Sequence, residues 1–405
     1  MTQHAQRWIE GIMRMPLTGR RKASAIIALG GLLALTACSK ASSVWAVTAG
    51  QKPATDITAV QQVVDQVKQL PAFSPPGPAF DASKARGKTI VNISLNSTVP
   101  FNNIVDQSMQ DAATAAGVKL IQYTNQGQPS QWIQGIDAAI ANHAALITLE
   151  GSPDPKLLGP QINAARAAGI PVISTHLYDT SYVDTALKKL PDLTALVGAS
   201  HYRAGTLMAD YAIVNSGARV NALFISSNEV QPSAGIASAF SSELTRRCPK
   251  TCRATVVNIP ITDWSSKVPT AVQTALIKDP SINYVAPVFD GMTPFLVTGI
   301  SQAGKNASVR IVAYNGTASV LQMIQRKNLV IADIGEPLEW LGWANIDEAL
   351  RILSGAAPLK DEHTPLRLFD ASNVKDAGQP ASQTAGYGDP GNFKSGFKKL
   401  WGLSS

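Results

Sequence analysis

The sequence is poor in charge, in aromatic residues and in cysteine. Only 16% of its 405 residues are charged and 6% are aromatic, and it contains three cysteines. So few cysteines cannot staple a fold of this length by disulfides. With 45% hydrophobic residues, 30 Gly and 25 Pro, the composition excludes a disordered chain, a collagen and a coiled coil. The chain is long and apolar enough to bury a large core in two domains.

Motifs of common enzyme families are also missing. The chain has no H-E-x-x-H zinc motif, no G-x-S-x-G nucleophile turn and no G-x-x-x-x-G-K-[ST] phosphate loop. Outside residues 1–37 it has 30 Lys and Arg against 27 Asp and Glu, and no basic run is longer than Lys398-Lys399. Nucleic-acid binding needs a clustered basic face. We therefore expect neither an enzyme nor a nucleic-acid-binding protein, and no cofactor and no metal.

The N-terminal 37 residues are predicted to be a signal peptide. Arg20-Arg21-Lys22 precedes fifteen small or apolar residues, 23–37, which is the order of charge and apolarity in a secretory signal. That run is short for a membrane span. Leu35-Thr36-Ala37-Cys38 resembles the bacterial lipobox, whose cysteine carries the lipid. We expect an extracytoplasmic protein anchored to the cell membrane through Cys38, the alternative being an ordinary signal peptide that contains a cysteine.

The other two cysteines lie close together in Cys248-Pro-Lys-Thr-Cys252. Outside the cytoplasm two neighbouring thiols usually oxidise, which predicts a disulfide that braces a local turn. The alternative, half of a metal site, lacks a second pair of ligands.

Residues 38–87 are interpreted as a tether between the membrane and the folded body. Ser, Ala and Thr dominate its first part, and residues 57–70 have apolar positions at helical spacing. The prolines that follow favour an extended path; they are Pro71, Pro75, Pro76 and Pro78.

From Thr89 onward, β-rich apolar runs alternate with helical stretches. Alternation of this kind predicts βαβ units and parallel sheets. Ten strands exceed what one compact domain needs, so we expect an α/β fold of two doubly wound lobes. The predicted strands are 89–95, 119–123, 145–149, 172–175, 193–197, 220–225, 255–259, 284–287, 309–314 and 329–332.

Residues 88–370 resemble a type I periplasmic binding protein of the ribose-binding-like group that serves sugar ABC importers. The order and spacing of several short segments carry the resemblance. They include Pro100-Phe101, Ala168-Gly169-Ile170-Pro171-Val172, Val197-Gly198-Ala199-Ser200, Tyr314-Asn315-Gly316-Thr317 and Leu341-Gly342-Trp343-Ala344.

The resemblance implies a periplasmic binding protein-like I fold with three crossovers between the lobes. We place these crossovers near Ser200, Glu336 and His363. The N-terminal lobe is then 88–200 plus 337–363, and the C-terminal lobe with the tail is 201–336 plus 364–405. A ligand would lie in the cleft, at the carboxyl ends of the strands, and closure about the hinge would bury it.

The candidate ligand-binding residues follow strands or match positions that contact the ligand in the family. A sugar or polyol needs charged or amide groups for hydrogen bonds and an aromatic ring for its apolar face. The candidates are Phe101, Asn102, Glu150, His176, Trp264, Phe289, Asp290, Asn315 and Glu336.

Five of the candidates also have a plain structural interpretation. Phe101 could staple its helix, Trp264 could pack under the lobe edge, and Asn315 precedes Gly316 in a pair that favours turns by itself. Glu150 could be a loop acid, and His176 could be a structural hydrogen bonder.

The sequence departs from the sugar-binding pattern at two expected arginines. Relatives usually have Asp-Arg where this chain has His176-Leu177, and pentose binders have an arginine within the segment that here reads VQPSAGIASA, 230–239. Acidic candidates remain at Glu150, Asp290 and Glu336. This balance favours a solute that donates hydrogen bonds, such as a polyol or an amino sugar, and argues against plain ribose.

The resemblance implies a monomeric solute receptor that delivers its ligand to ABC permease subunits. The alternative with the same fold is an extracytoplasmic sensor for a chemotaxis, kinase or quorum-signal system. A sugar-responsive repressor shares the lobes as well, but the export leader and Cys38 argue against a cytoplasmic protein.

Overall fold

Two separate β-sheets, each covered by helices, organise the chain in the computed structural model. The structure describes residues 56–151 and 153–403. The first sheet has the strand order β2-β1-β3-β4-β5, and all its pairs are parallel. Its strands are β1 (Thr89–Ser94), β2 (Lys119–Gln122), β3 (Leu146–Glu150), β4 (Val172–Asp179) and β5 (Ala195–Ala199).

The second sheet has the order β11-β10-β9-β8-β6-β7, and it is parallel except for the pairing of β10 with β11. Its strands are β6 (Asn221–Ser226), β7 (Arg253–Asn258), β8 (Tyr284–Pro287), β9 (Arg310–Asn315), β10 (Val330–Gly335) and β11 (Arg367–Asp370). The ten predicted strands and the two-lobed α/β class are confirmed. The sequence analysis missed β11, because its four residues show no clear alternation of apolar and polar side chains.

Helices connect the strands and cover both sheets. They are α1 (Thr58–Val67), α2 (Pro100–Ala116), α3 (Pro129–Ala141), α4 (Gly159–Ala167), α5 (Val183–Leu187), α6 (His201–Ser216), α7 (Ser233–Arg247), α8 (Trp264–Lys278), α9 (Thr293–Gln302), α10 (Ala318–Gln325), α11 (Leu338–Ser354) and α12 (Pro390–Leu400). Gly117 ends α2 with φ 71°, a left-handed conformation that glycine adopts without steric cost.

Three chain segments pass between the sheets. One joins β5 to α6 at Ser200, the second joins β10 to α11 at Glu336, and the third joins α11 to β11 through His363. Helix α11 packs against α2 in the core of the first lobe. These passages bring the strand ends of the two sheets close to the hinge.

The segment predicted as a tether is packed on the protein from residue 58 onward. Val60 and Val64 of α1 are fully buried in the core of the second lobe, beside α6. Lys68 forms an ion pair of 2.6 Å with Asp370. Burial of its apolar face stabilises an amphipathic helix. Because α1 buries this face in the second lobe, the prediction that residues 58–87 stand away from the folded body is wrong.

The C-terminal tail also differs from the prediction, because its last helix packs on the first lobe. Phe393, Phe397 and Trp401 belong to the same apolar cluster as Trp340 and Trp343 of α11. The Trp343 and Trp401 rings stack with centroids 5.3 Å apart. Residues 390–403 are therefore part of the first lobe, since their aromatic face matches the aromatic face of α11.

Cys248 and Cys252, which the sequence predicts to form a disulfide, are bonded to each other at the end of α7. The predicted signal peptide, residues 1–37, and the predicted lipid-bearing Cys38 lie outside the described residues. Among the residues that the structure describes, no helix is both long enough and apolar enough to span a membrane.

Candidate functional site

Four of the predicted binding residues meet at the carboxyl ends of the first-lobe strands. Asn102, in the first turn of α2, donates from Nδ2 to Glu150 Oε2 at 3.0 Å, and both side chains are buried. The Phe101 ring lies 5.3 Å from the His176 ring between centroids. Glu150 ends β3 and His176 lies in β4, so parallel pairing of the two strands brings these groups to one edge.

His176 occupies an irregular point in β4. The pairing of β4 with β5 shifts register between Thr175 and Asp179, and His176 has φ 61°. A left-handed conformation is costly for a residue with a Cβ and marks a position held by its surroundings. The contacts of the His176 ring keep its backbone in this left-handed conformation.

The second-lobe candidates meet in the same way at the ends of β8, β9 and β10. Asp290 Oδ2 accepts hydrogen bonds from the backbone N–H and the hydroxyl of Thr317, both at 2.7 Å. Asn315 Oδ1 accepts from the Asp290 backbone N–H at 3.4 Å. Asn315 Nδ2 donates to Glu336 Oε2 at 3.0 Å.

A hydrogen-bonded cluster joins the two lobes. We call His176, His201, Tyr314, Asn315 and Glu336 the interlobe cluster. His176 Nε2 lies 2.9 Å from Glu336 Oε1, and the Tyr314 hydroxyl donates to the same oxygen at 2.9 Å. His201 Nδ1 lies 3.0 Å from the Tyr314 hydroxyl, and His201 Nε2 lies 3.2 Å from the His176 carbonyl oxygen.

The interlobe cluster fixes the charge of its members. Burial opposes ionisation of Glu336, but the positive charge and hydrogen bond of His176 prevail and lower the Glu336 pKa to about 2. Burial also opposes a charge on His176, yet Glu336 raises the pKa of His176 overall. Burial and the nearby His176 charge lower the pKa of His201 to about 4. The cluster thus contains a buried ion pair beside a neutral imidazole.

Glu150 and Asp290 are buried acids of a different kind. Burial, with the charge of Asp106, raises the pKa of Glu150 to about 8. Burial raises the pKa of Asp290 to about 7 and that of Asp333 further above its usual value. Besides burial, the charge of Asp290 raises the pKa of Asp333. Glu150 Oε1 is buried and has no hydrogen-bond partner within the described residues.

Two aromatic candidates border the second-lobe group. Trp264 is half-buried and donates from Nε1 to Ser227 Oγ at 2.8 Å. A Cβ on Gly291 would lie 3.0 Å from Trp264 Cζ3, so the absence of a side chain there lets the indole reach the Asp290 loop. Phe289 is half-buried, with its ring 6.3 Å from that of Tyr314.

Contacts therefore link six of the nine predicted residues across the lobes: Phe101, His176, Phe289, Asp290, Asn315 and Glu336. Asn102 and Glu150 form a separate pair at the first-lobe strand ends, and Trp264 lies beside Gly291. Sequence reasoning missed three members of this site: His201, Tyr314 and Asp333. Asp333 carries a detectable signal, because an acid inside the apolar strand VIADIG requires a buried partner. His201 directly follows the predicted crossover at Ser200, which is also a signal. Tyr314 directly precedes the candidate Asn315, but nothing in the sequence distinguishes it from a tyrosine of the hydrophobic core.

One group of side chains has donors suited to a metal ion. The ligand atoms of His176, His201 and Glu336 lie within 4.8 Å of one another, and all three residues are buried. It is the one such group among residues 56–151 and 153–403.

Comparison with known proteins identifies the family. Residues 90–357 match the family model described as the periplasmic binding protein domain, which is more than half of the chain. The chain belongs to the periplasmic binding protein family. A sequence comparison with curated proteins finds no significant match.

Solved structures of the same fold are ABC transporter solute-binding proteins. One from Bacillus halodurans with bound myo-inositol has a TM-score of 0.61 at 15% identity, covering 73% of this chain and 99% of its own. One from Agrobacterium vitis with α-D-tagatopyranose has a TM-score of 0.62 at 20% identity, covering 71% and 96%. A third, from Actinobacillus succinogenes with D-allose, has a TM-score of 0.60 at 16% identity, covering 71% and 99%. The type I fold predicted from the sequence is confirmed.

Proposed function

We propose that this periplasmic binding protein captures a small hydroxyl-rich solute, a sugar, polyol or amino sugar, between its lobes and delivers it unchanged to an ABC permease. One observation carries the proposal: polar and aromatic candidate residues of both lobes lie at the strand ends, where His176 of the first lobe contacts Glu336 beside the second sheet. Strand carboxyl ends at a switch in strand order are where open α/β sheets bind ligands.

The chemistry of the set favours hydroxyl groups over anions. Glu150, Asp290 and Glu336 supply carboxyl oxygens, and no arginine or lysine takes part in the contacts described above. The free Oε1 of Glu150 would gain a partner from a solute hydroxyl or ammonium group, and an unmet buried polar atom costs about 1–3 kcal/mol. Phe101, Phe289 and Trp264 offer ring surface to the C–H faces of a sugar.

Solute entry would require the lobes to separate at the interlobe cluster. The contact of His176 with Glu336 spans the lobes at 2.9 Å and would open with the hinge. Hinge closure is a common way for two-lobed receptors to bury a ligand. Receptors in the similar structures carry myo-inositol, α-D-tagatopyranose and D-allose, which supports polyols and hexoses as first candidates.

A thermal-shift panel of polyols, hexoses and amino sugars tests the solute class. A solute at 100 times its Kd adds about 2.7 kcal/mol to the stability of the folded state. We expect one class to stabilise the wild type, and Glu150→Gln to weaken its binding by about 10- to 100-fold. Glu348→Gln is the matched control, because Glu348 on α11 is a buried acid whose Oε1 also lacks a hydrogen-bond partner in the part of the chain that the structure describes.

Two results of this panel would contradict the proposal. In the first, no polyol, hexose or amino sugar stabilises the wild type. In the second, Glu348→Gln weakens binding as much as Glu150→Gln, which would place the solute away from the strand ends.

Membrane anchoring through Cys38 forms the second part of the proposal. The support is the sequence Leu35-Thr36-Ala37-Cys38 behind an apolar run, and stable anchoring needs two acyl chains or a second membrane signal. In cells fed an alkyne fatty acid, Cys38→Ser should abolish labelling and release the protein from membranes. The Cys248→Ser, Cys252→Ser double variant should keep the label. Equal labelling of Cys38→Ser would refute the anchor.

A further inference from the structure

His176, His201 and Glu336 combine two imidazoles and one carboxylate at a single buried point. Their exposed fractions are 8%, 1% and 5%, and their ligand atoms lie within 4.8 Å of one another. Imidazole and carboxylate donors suit zinc and similar divalent transition ions. In a tetrahedral zinc site with bonds of about 2.0–2.2 Å, ligand atoms are about 3.3–3.6 Å apart. The existing spacing can reach this with small side-chain movements.

The second nitrogen of His201 is already oriented as in a metal site. His201 Nε2 lies 3.2 Å from the His176 carbonyl oxygen. Since a carbonyl only accepts, Nε2 carries the hydrogen, and Nδ1 of a neutral ring presents its lone pair toward the Tyr314 hydroxyl. Glu336 is held in a similar way, because its Oε2 accepts from Asn315 Nδ2 at 3.0 Å. Hydrogen bonds of this kind orient the ligands of metal sites.

The cluster also has fewer protons than acceptors. The Tyr314 hydroxyl lies 3.0 Å from His201 Nδ1 and 2.9 Å from Glu336 Oε1. Its single proton can serve one of these acceptors only. With a neutral His201 ring, one buried lone pair stays without a donor. A cation between the three residues would use that lone pair.

We propose that His176, His201 and Glu336 bind one divalent transition-metal ion of the zinc type between the lobes. The ligands come from β4, from the first turn of α6 and from the segment after β10. The fourth position is left for the Tyr314 hydroxyl, a water or a solute hydroxyl. Because the ligands belong to both sides of the hinge, the ion would hold the lobes closed.

Zinc binding is measured on the full-length, untagged protein, stripped with EDTA and free of added solute. We expect one Zn²⁺ per chain for the wild type and binding at least 10-fold weaker for His201→Gln and Glu336→Gln. His143→Asn is the matched control, because His143 is exposed and its left-handed backbone suits asparagine. Circular dichroism shows whether each variant is folded.

Cobalt supplies a second readout that needs no variant. Co²⁺ bound by the wild type should give the intense visible absorption of a four-coordinate site. Wild-type Zn²⁺ affinity no higher than that of His201→Gln, or a weak six-coordinate Co²⁺ spectrum, would overturn the proposal. Solute binding measured in EDTA tests the solute proposal in the absence of zinc. A failure of the zinc proposal can therefore be told apart from a failure of the solute proposal.

Discussion

Two buried clusters among the described residues each pair a cationic side chain with a carboxylate and differ in what they join. The interlobe cluster links His176 of the first lobe to Glu336 after β10, and through Glu336 to Tyr314 of β9 in the second sheet. A second group, which we call the α11 cluster, comprises Asp347, Glu348, Arg351, Glu362 and Trp401. Arg351 Nε donates to Asp347 Oδ2 at 2.6 Å, and Trp401 Nε1 donates to Asp347 Oδ1 at 2.5 Å.

The partners of the α11 cluster all belong to the first lobe and the segments that wrap it. Arg351 donates to the Pro78 carbonyl oxygen at 3.1 Å, and Glu348 Oε2 accepts from the Leu359 backbone N–H at 2.9 Å. These contacts fasten chain segments to one helix. Buried charge alone therefore does not identify a binding site, and we infer one only where buried charge lies at strand ends on both sides of the hinge.

The largest expected effect on stability comes from breaking the α11 cluster. Arg351→Met removes the cation and leaves Asp347 buried without it, which costs about 3–5 kcal/mol. The free energy of unfolding in urea should fall by this amount, while solute affinity of the folded protein stays unchanged. A loss below about 1 kcal/mol, or a parallel loss of solute binding, would break the distinction between the clusters.

The pH dependence of stability should separate Glu150, at the first-lobe strand ends, from Glu348 of the α11 cluster. The pKa of Glu150 is raised by burial from 4.5 to about 8, so its proton stabilises the folded state fully below pH 4.5. That contribution is lost as the pH rises to about 8. Glu348, raised to about 7 mainly by burial, loses its contribution over a lower range.

Unfolding free energies measured from pH 4 to 9 test this order. The difference between wild type and Glu150→Gln should keep changing up to about pH 8, and that for Glu348→Gln should level off near pH 7. A Glu150→Gln difference that stays constant with pH would show that the Glu150 pKa is not raised.

The same Trp-to-Phe exchange at Trp401 of the α11 cluster and at Trp264 of the candidate site gives a matched comparison. Trp401 is fully buried and its indole N–H is bound to Asp347. Trp401→Phe should cost about 1–3 kcal/mol, because Asp347 Oδ1 loses its donor. Solute affinity, measured by calorimetry, should not change. A loss of affinity without a loss of stability would contradict a purely structural role for Trp401.

The smallest stability effect is expected for the same exchange at Trp264. This side chain is half-buried and its N–H bonds to Ser227 Oγ. Trp264→Phe should change unfolding free energy by about 1 kcal/mol or less and keep part of the ring surface for the solute. Trp264→Ala should weaken solute binding more strongly. Equal affinities of wild type and Trp264→Ala would remove Trp264 from the site.

The sequence was sufficient for the sheets and for the region of the site, because both depend on local patterns. Apolar runs predict strands, and in a parallel sheet the residues after them collect at one edge. Glu150, Asp290 and Asn315 were found in this way. Asp290 contacts Asn315 and Glu150 contacts Asn102, and their part in binding stays a prediction.

Which distant segments pack together could not be predicted from the sequence. The aromatic face of α12 is visible as Phe393, Phe397 and Trp401, but helical periodicity does not say which lobe covers it. The same holds for Val60 and Val64 of α1. The ion pair of His176 with Glu336 joins residues 160 positions apart, and it is decided by the geometry of the three crossovers.

A crystal structure of the protein with its best stabilising solute tests the central claim most directly. The account predicts a solute between the lobes, with a hydroxyl or ammonium group hydrogen-bonded to Glu150 Oε1 and a ring or carbon face against Phe101 or Trp264. A solute bound away from the strand ends, for example in the groove between α8 and β7 lined by Thr255 and Thr274, would contradict it.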